Sequence, residues 1–471
     1  MSKKIVFSTT SKKLLADLCT PVGIYLRIRD KFRDSFLLES ADFNASNKAY
    51  SFICVNAVAG IELVNTQVEW KYPNQEAKKL NLPNGKECME QLTSFFQAFQ
   101  PTQGSTEEAF AQGFYGYTAY DAITMFEPNV PVRPQEDGLQ IPQLRYRMFQ
   151  YVIAIHHFKN EMYLLENHFT GIPSQMDYVE QLITSTDVPS YPFALQGTET
   201  SNCSNDEYLT MVKEGIKNCQ LGNVFQIVVS RRFQQRFKGD DFNVYRSLRN
   251  VNPSPYLFYF DYGNYRIMGS SPESQLIVQN NVAIMHPIAG TVKRTGDDAV
   301  DTEAANLLLA NAKENAEHTM LVDLARNDLS RVGTQTRVTK LKEIQTFSHV
   351  IHMVSEVQTN LLPTHAYWSA MKATFPAGTL SGAPKVKAMQ LITELEPTAR
   401  GTYGGAIGFW GCNGSCNHAI LIRSFFSKNN TLYYQAGAGV VVNSSPQSEL
   451  EEVNNKLAAL KKAIENAEKI S

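Results

Sequence analysis

In this 471-residue chain Glu314 stands three residues before Glu317, and Glu449 three before Glu452. On a helix, residues three apart share a face, so each pair can aim two carboxylates at one point. Two such faces brought together make an all-oxygen site for a hard cation. A water-rich, substrate-bridging site of that kind suits Mg2+ better than zinc. A single pair with this spacing is common on a solvated helix face. The first pair, however, lies in KENAEHTMLVDLARNDLSR, where His318, Asp323, Arg326, Asn327 and Asp328 follow in one otherwise apolar helix. So many polar groups are costly to pack unless they form a network.

Other residues invite chemistry singly. Glu273 follows Pro272 in GSSPES, between two strand-like runs, where a carboxylate can face a cleft or simply stand exposed in a turn. His349 and His352 have H-x-x-H spacing in FSHVIHMVSEV. No third ligand pattern accompanies them, which favours an acid/base or core histidine over zinc. Arg423 interrupts the apolar run AILIRSFF, and a charge there points to anion binding. Glycines cluster in PIAGT (Pro287–Thr291), PAGTLSGAPK (Pro376–Lys385), TYGGAIG (Thr402–Gly408) and QAGAG (Gln435–Gly439), read as turns whose N–H groups can approach an anion. No P-loop and no strand-to-helix G-x-G-x-x-G is present, so a nucleotide cofactor is not expected.

The elements that must hold these residues are strands grouped in hairpins, with helices between the groups. Strands are expected at Val224–Phe237, Tyr256–Tyr262, Tyr265–Gly269, Gln275–Gln279, Val282–His286, His418–Phe426 and Thr431–Gln435. Helices are expected from Asn205 to Gly222, at Ala304–Arg331 and Ala366–Thr374, from about Pro384, and from Pro446 to about Ala467. That order argues for an α+β fold with antiparallel sheets. The segment 186–205 reads as a linker, so the chain divides into an N-terminal region, 1–190, and a C-terminal part, 205–468. Glu127–Pro142 reads as a surface loop.

Composition narrows the function. Hydrophobic residues are 43% and charged residues 19%, which excludes a largely disordered chain. A net charge of -2 offers no basic coat for nucleic acid. No apolar run suffices for a membrane span, and the start lacks a signal-peptide pattern, so a cytoplasmic location is expected. Seven scattered cysteines do not make a disulfide scaffold.

Taken together, FQIVVSRR, GSSPES, PIAGT, KENAEH, SHVIHMVSEV, PAGTLSGAPK, YGGAIG, ILIR and QAGAGVV followed by SSPQSELEE resemble the chorismate-utilising enzymes, and among them the large subunits of anthranilate synthases. The resemblance runs from about Asn205 to Glu465. It implies a large two-sheet antiparallel sandwich with outer helices. It implies Mg2+ held by Glu317 and Glu452, with Glu314 and Glu449 holding metal-bound waters. Arg423, Tyr403 and the backbone around Gly437, Ala438 and Gly439 would bind the enolpyruvyl carboxylate of chorismate. Glu273 would protonate the departing ring hydroxyl, His352 and Thr379 would flank the ring, and Gly290 and Thr291 would line the pocket. The implied reaction joins ammonia to chorismate and yields anthranilate and pyruvate.

Two positions discriminate within the group. Ala289 stands where many aminodeoxychorismate synthases carry a nucleophilic lysine, and Gln226 stands where isochorismate and salicylate synthases carry a water-activating lysine. Both favour anthranilate. LLES (Leu37–Ser40) and NPSPYLFYF (Asn252–Phe260) resemble the two halves of a tryptophan feedback site, with Glu39, Ser40, Asn252, Pro255, Tyr256, Leu257 and Phe258 as its residues. Val292-Lys293-Arg294 departs from the Arg-Pro-Arg of many relatives, and Leu257 from a common methionine. GCNG at Gly411–Gly414 does not match a glutaminase nucleophile elbow, so ammonia is expected from a separate glutamine amidotransferase subunit. The rivals are an aminodeoxychorismate synthase, an isochorismate or salicylate synthase, and a non-catalytic tryptophan-binding subunit.

Overall fold

The computed structural model describes residues 4–40, 49–102, 104–135, 139–346, 350–362 and 367–470. Two long antiparallel strands, Tyr50–Val64 and Leu144–His156, organise it. Their pairing slips at a bulge between Ala57 and Ala59. On one side of the bulge, Phe52–Cys54 pairs with Ser35–Glu39, and Tyr151–His156 with Glu161–His168. On the other side, Gly60–Val64 pairs with Gln67–Lys71, and Leu144–Arg147 with Gly113–Thr118. A bulge bends and twists a strand, so the two halves feed two sheets.

The first sheet continues from Ser35–Glu39 through Tyr256–Asp261, Arg266–Ser271, Ser424–Lys428, Thr431–Val440 and Gln226–Gly239. The second continues from Gly113–Thr118 through Ala406–Gly411, Cys416–Ile420, Ser274–Gln279, Val282–Met285 and Val350–Leu361. Aromatic residues of both sheets meet between them: Phe36, Tyr117, Phe149, Phe258, Phe260 and Phe426 belong to one buried cluster. Phe36 stacks on Phe260 with ring centroids 4.1 Å apart. Each such fully buried side chain stabilises the fold by about 1.5–3 kcal/mol. A second cluster buries the helices Asn205–Gln220, Phe242–Val251 and Pro446–Ala467 on the outer face of the first sheet. A third does the same for Gly85–Gln97, Ala312–Ser330 and Tyr367–Thr374 on the second. The expected sandwich with outer helices is therefore present.

Several local expectations change. The segment read as a linker contains a strand, Phe193–Ser201, paired with Gln226–Gly239. Its Gly, Thr and Ser content hid a strand that is exposed along most of its length. The following helix is capped by Ser204 rather than Asn205; Ser204 and Glu207 form a capping box. The expected helix Ala304–Arg331 is two, Asp298–Ala310 and Ala312–Ser330, divided at Asn311. The Asn311 side chain accepts from the N–H groups of Lys313 and Glu314 and so starts the second helix afresh. QAGAG is not a turn but lies inside the strand Thr431–Val440, and PIAGT enters the strand Ile288–Lys293. The asparagine pairs Asn280-Asn281 and Asn429-Asn430 take positive φ, as two-residue hairpin turns require.

Candidate active site

The expected strand His418–Phe426 is also two, Cys416–Ile420 in the second sheet and Ser424–Lys428 in the first. The chain changes sheets at Leu421–Arg423, and Arg423 takes φ +50° to do so. This strained backbone puts the guanidinium at the seam where the two sheets part. Arg423 is half-buried and makes no ion pair among the described residues. Burial pushes its pKa down, while Tyr403, Glu273 and Glu452 support the charge.

Glu273 stands just before the strand Ser274–Gln279 and is 9% exposed. Its Oε1 accepts a hydrogen bond of 3.0 Å from the Thr379 hydroxyl. Burial raises its pKa to about 7, against the opposing effects of Thr379, Arg423 and Lys456. A carboxyl group near that value holds a proton at neutral pH and can deliver it. Glu273, Thr379, Gly378, Leu321 and Ile420 line one cleft.

Gly290 has φ +80° at a bulge between Ala289 and Thr291. A Cβ there would lie 2.8 Å from Leu308 and 3.2 Å from Glu314, so only glycine lets this strand approach the glutamate helix. The Thr291 hydroxyl is 2.8 Å from His352 Nδ1 on the paired strand. Burial, then the nearby Arg423 charge, lowers the His352 pKa to about 4, so the imidazole is neutral at working pH. His349 lies outside the described residues.

Tyr403 is buried, and burial raises its pKa to about 12. A Cβ on Gly437 would sit 3.0 Å from its hydroxyl, and one on Gly439 only 2.4 Å from Gln226 Nε2. Gly437 and Gly439 thus form a side-chain-free floor between Tyr403 and Gln226, while the Ala438 side chain packs into the core on the opposite face. Gln226 is 9% exposed, and its Oε1 finds no hydrogen-bond partner among the described residues.

The four glutamates lie on two helices within electrostatic reach of one another. Burial raises the Glu317 pKa; Lys313 opposes this, and Glu314, Glu452 and Glu449 add to it. Burial likewise raises Glu449. Lysines take up part of the charge: Lys456 Nζ is 2.5 Å from Glu452, and Lys313 Nζ is 3.9 Å from Glu317. Among the described residues no three potential ligands converge on a single point. The donor set fits a hard cation all the same: all-oxygen, half-exposed and self-repelling, so that a divalent ion would relieve it.

The segments assigned to tryptophan recognition are brought together. Glu39 pairs directly with Leu257 across two antiparallel strands. Glu39 is buried; Tyr245 donates to it at 2.7 Å and Arg249 at 2.9 Å. Directly opposite residues share a face, so Glu39 and Leu257 point toward the helix Phe242–Val251. Tyr256 and Phe258 pack into the cluster between the sheets. The candidate residues therefore divide between two faces. Ser40 and Pro255 are half-buried at the strand ends, and the Asn252 carbonyl accepts from the Ser270 hydroxyl.

A model of the chorismate binding enzyme family matches residues 43–462, across the seam at 186–205 and well into the N-terminal half. The chain is 36% identical to the anthranilate synthase component 1 of Aquifex aeolicus (strain VF5), over 97% of this chain and 94% of that protein. It is also 36% identical to the component 1 of Bacillus subtilis (strain 168), over 96% and 91%. This chain belongs to the anthranilate synthase component 1 family. The crystal structure of anthranilate synthase component I from Streptococcus pneumoniae TIGR4 superposes with a TM-score of 0.76 at 31% identity, covering 95% of this chain and 99% of that one. The menaquinone-specific isochorismate synthase of Escherichia coli shares the fold, with a TM-score of 0.73 at 18% identity over 98% and 96%. No helix among the described residues is long and apolar enough to cross a membrane.

The sequence reading of this family member missed Arg400, Glu396 and Ser230, which lie behind the cleft in one hydrogen-bonded group. Glu396 and Arg400 stand four apart, but Pro397 lies between them, so the spacing does not read as a helical pair.

Proposed function

We propose that this chain is the chorismate-aminating subunit of an anthranilate synthase, with Glu273 as general acid. The observation that carries this reading is the buried Glu273–Thr379 pair facing Arg423, a proton donor beside an anion site. Hydroxide is a poor leaving group, so the ring hydroxyl must leave as water with a proton from Glu273. The electron pair of ammonia forms the new C–N bond as the C–O bond breaks. Loss of a ring proton and elimination of the enolpyruvyl group as pyruvate then give the aromatic product. His352, neutral and held by Thr291, is the base placed to assist that last stage. Arg423, Tyr403 and the backbone at Gly437–Gly439 bind the enolpyruvyl carboxylate. Glu317 and Glu452 would hold Mg2+, with Glu314 and Glu449 facing its waters, and the bound ion would supply positive charge to the ring carboxylate. Ala289 offers no nucleophile and Gln226 no base for water, which supports the amination that leads to anthranilate.

The test is direct. The purified chain is given chorismate, Mg2+ and ammonium, and anthranilate fluorescence is followed. A signal that requires ammonium supports the reading; chorismate consumed with no anthranilate would move the chain to an aminodeoxychorismate or isochorismate synthase. Glutamine should replace ammonium only when a glutamine amidotransferase subunit is added. Component 1, in the relatives' names, supports such a partner.

Two variants extend the test. Arg423→Ala should lower kcat/KM for chorismate by about 30-fold or more, because losing one partner of a buried charge pair costs roughly 2–5 kcal/mol. An unchanged KM would remove Arg423 from the carboxylate site. Glu39→Gln should weaken tryptophan inhibition about 10- to 100-fold, the range for a hydrogen bond to a charged group. Equal inhibition of both proteins would remove Glu39 from the feedback site.

A further inference from the structure

A buried ion pair that no step of the proposed reaction uses ties the walls of the cleft together. Arg400 is 4% exposed and Glu396 3%. Arg400 grips Glu396 with two hydrogen bonds, Nε to Oε2 at 2.9 Å and Nη2 to Oε1 at 2.6 Å. Its Nη1 donates to the Leu380 carbonyl at 2.6 Å, and Nη2 to the Val228 carbonyl at 2.8 Å. Glu396 also accepts from the Ser230 N–H at 2.8 Å and the Ser230 hydroxyl at 2.6 Å. The guanidinium lies 4.7 Å from the Tyr120 ring centroid and 5.6 Å from that of Tyr403.

Burying two charges is a poor route to stability alone, since apolar residues fill the same volume without desolvation. This pair does what apolar residues cannot. The strand Gln226–Gly239 has Gly382–Ala383 as neighbour up to Ile227, and Phe193–Ser201 as neighbour from Phe233 onward. Between them, the Val228 carbonyl and the Ser230 N–H meet Arg400 and Glu396 instead of a strand. On the opposite edge, Val228 faces Gly439 and Ser230 faces Gly437. Leu380, the third anchor, follows Thr379, the partner of Glu273. The strand Gln226–Gly239, the turn at Leu380 and the turn carrying Tyr403 therefore converge on one guanidinium and one carboxylate. The turn carrying Tyr403 is held from its other side by Asp121, whose two carboxylate oxygens each lie 3.2 Å from the Gly401 N–H.

We infer that Arg400 and Glu396 are positioning residues: from behind the cleft they set the spacing of Tyr403, of the Thr379 loop and of the glycine floor, and so the fit of the substrate carboxylate. The inference rests on reading the cleft as the chorismate site. Lysine at position 400 keeps the charge but loses the planar fork and the stacking on two rings. Misplacement of a site by about 1 Å can cost a hundredfold.

The test measures steady-state kinetics of Arg400→Lys and Glu396→Gln in the full-length chain, with chorismate varied at saturating ammonium and Mg2+. The chorismate KM should rise about tenfold in Arg400→Lys and less in Glu396→Gln, with kcat moving less than KM in each. Tyr403→Phe added to Arg400→Lys should raise KM no further, because Tyr403 is already displaced. A variant that keeps the unaltered KM and loses only melting temperature or active fraction would show support of the fold alone and overturn the inference. If Arg400→Lys does not fold, Glu396→Gln decides by the same criterion. The two readings fail separately. The proposed function fails on the product the unaltered chain makes from chorismate. The positioning role fails on the KM for chorismate, whatever the product.

Discussion

Glu273→Gln should lower kcat for anthranilate formation by about 10²- to 10⁴-fold, the contribution expected of a positioned general acid. The amide is close in size and can still accept from Thr379, so the variant loses the transferable proton and little of the packing. The unaltered chain should show the signature of the same group. Burial raises the Glu273 pKa to about 7, so the acid form is full well below that value. As pH rises through it the proton is lost, and activity should fall about tenfold per unit. Arg423 and Lys456 both face Glu273 and keep this limb from lying higher. Free ammonia increases with pH and would mask the fall, so its concentration is held constant across the profile. An alkaline limb that survives in Glu273→Gln, or a variant within a few fold of the unaltered kcat, would assign the acid to another residue. Thr379→Ala gives a check of opposite sign. The Thr379 hydrogen bond lowers the Glu273 pKa, so its loss should move the limb to higher pH.

The sequence reading reached the fold class because hairpin turns and apolar alternation are local signals. Asn280-Asn281 and Asn429-Asn430 mark their turns by residue type alone. It also named residues that the structure brings together, Glu273 with Thr379 and Thr291 with His352, since these lie in short motifs. It missed features decided by partners distant in sequence. Arg423 reads as a charge inside a strand, because nothing near it says that its two flanking strands belong to different sheets. The glycines of QAGAG read as a turn, because what forbids a Cβ at Gly437 is Ser230 and the Tyr403 hydroxyl, 207 and 34 residues away (437 − 230 and 437 − 403). The strand Phe193–Ser201 was lost to its composition: six of its nine residues are exposed, so it carries little apolar alternation. The Arg400–Glu396 pair left no trace, because the backbone groups it satisfies lie on strands far off in the chain. Helix division at Asn311 could have been read: an Asn followed three residues later by Glu314 is an N-terminal signal inside an alanine- and leucine-rich run.

The four glutamates make the second large prediction, and its sign depends on the ion. Burial raises the pKa of Glu317 and of Glu449; Glu314, Glu452 and Glu449 add to the first shift and Glu452 to the second, while Lys313 opposes both and Lys456 the second. Without a divalent cation, then, Glu317→Gln removes a repelling charge and should raise the melting temperature of the chain. With Mg2+ in excess the order should invert. A ligand that binds only the folded state stabilises it in proportion to the logarithm of its concentration over Kd, and the variant binds more weakly. Activity should follow the same ranking. Chelation should abolish anthranilate formation and Mg2+ restore it. Glu314→Gln and Glu449→Gln, each removing a hydrogen-bond partner of metal-bound water, should raise the Mg2+ needed for half-maximal rate about 10- to 100-fold. Glu317→Gln and Glu452→Gln remove the proposed ligands themselves and should raise it further. The melting curves give a readout that does not depend on turnover, so a catalytic defect cannot imitate a binding one. If all four variants keep the unaltered Mg2+ dependence in both assays, the cation does not bind between these helices. Their clustered carboxylates would then need another explanation, namely the lysines that already face them.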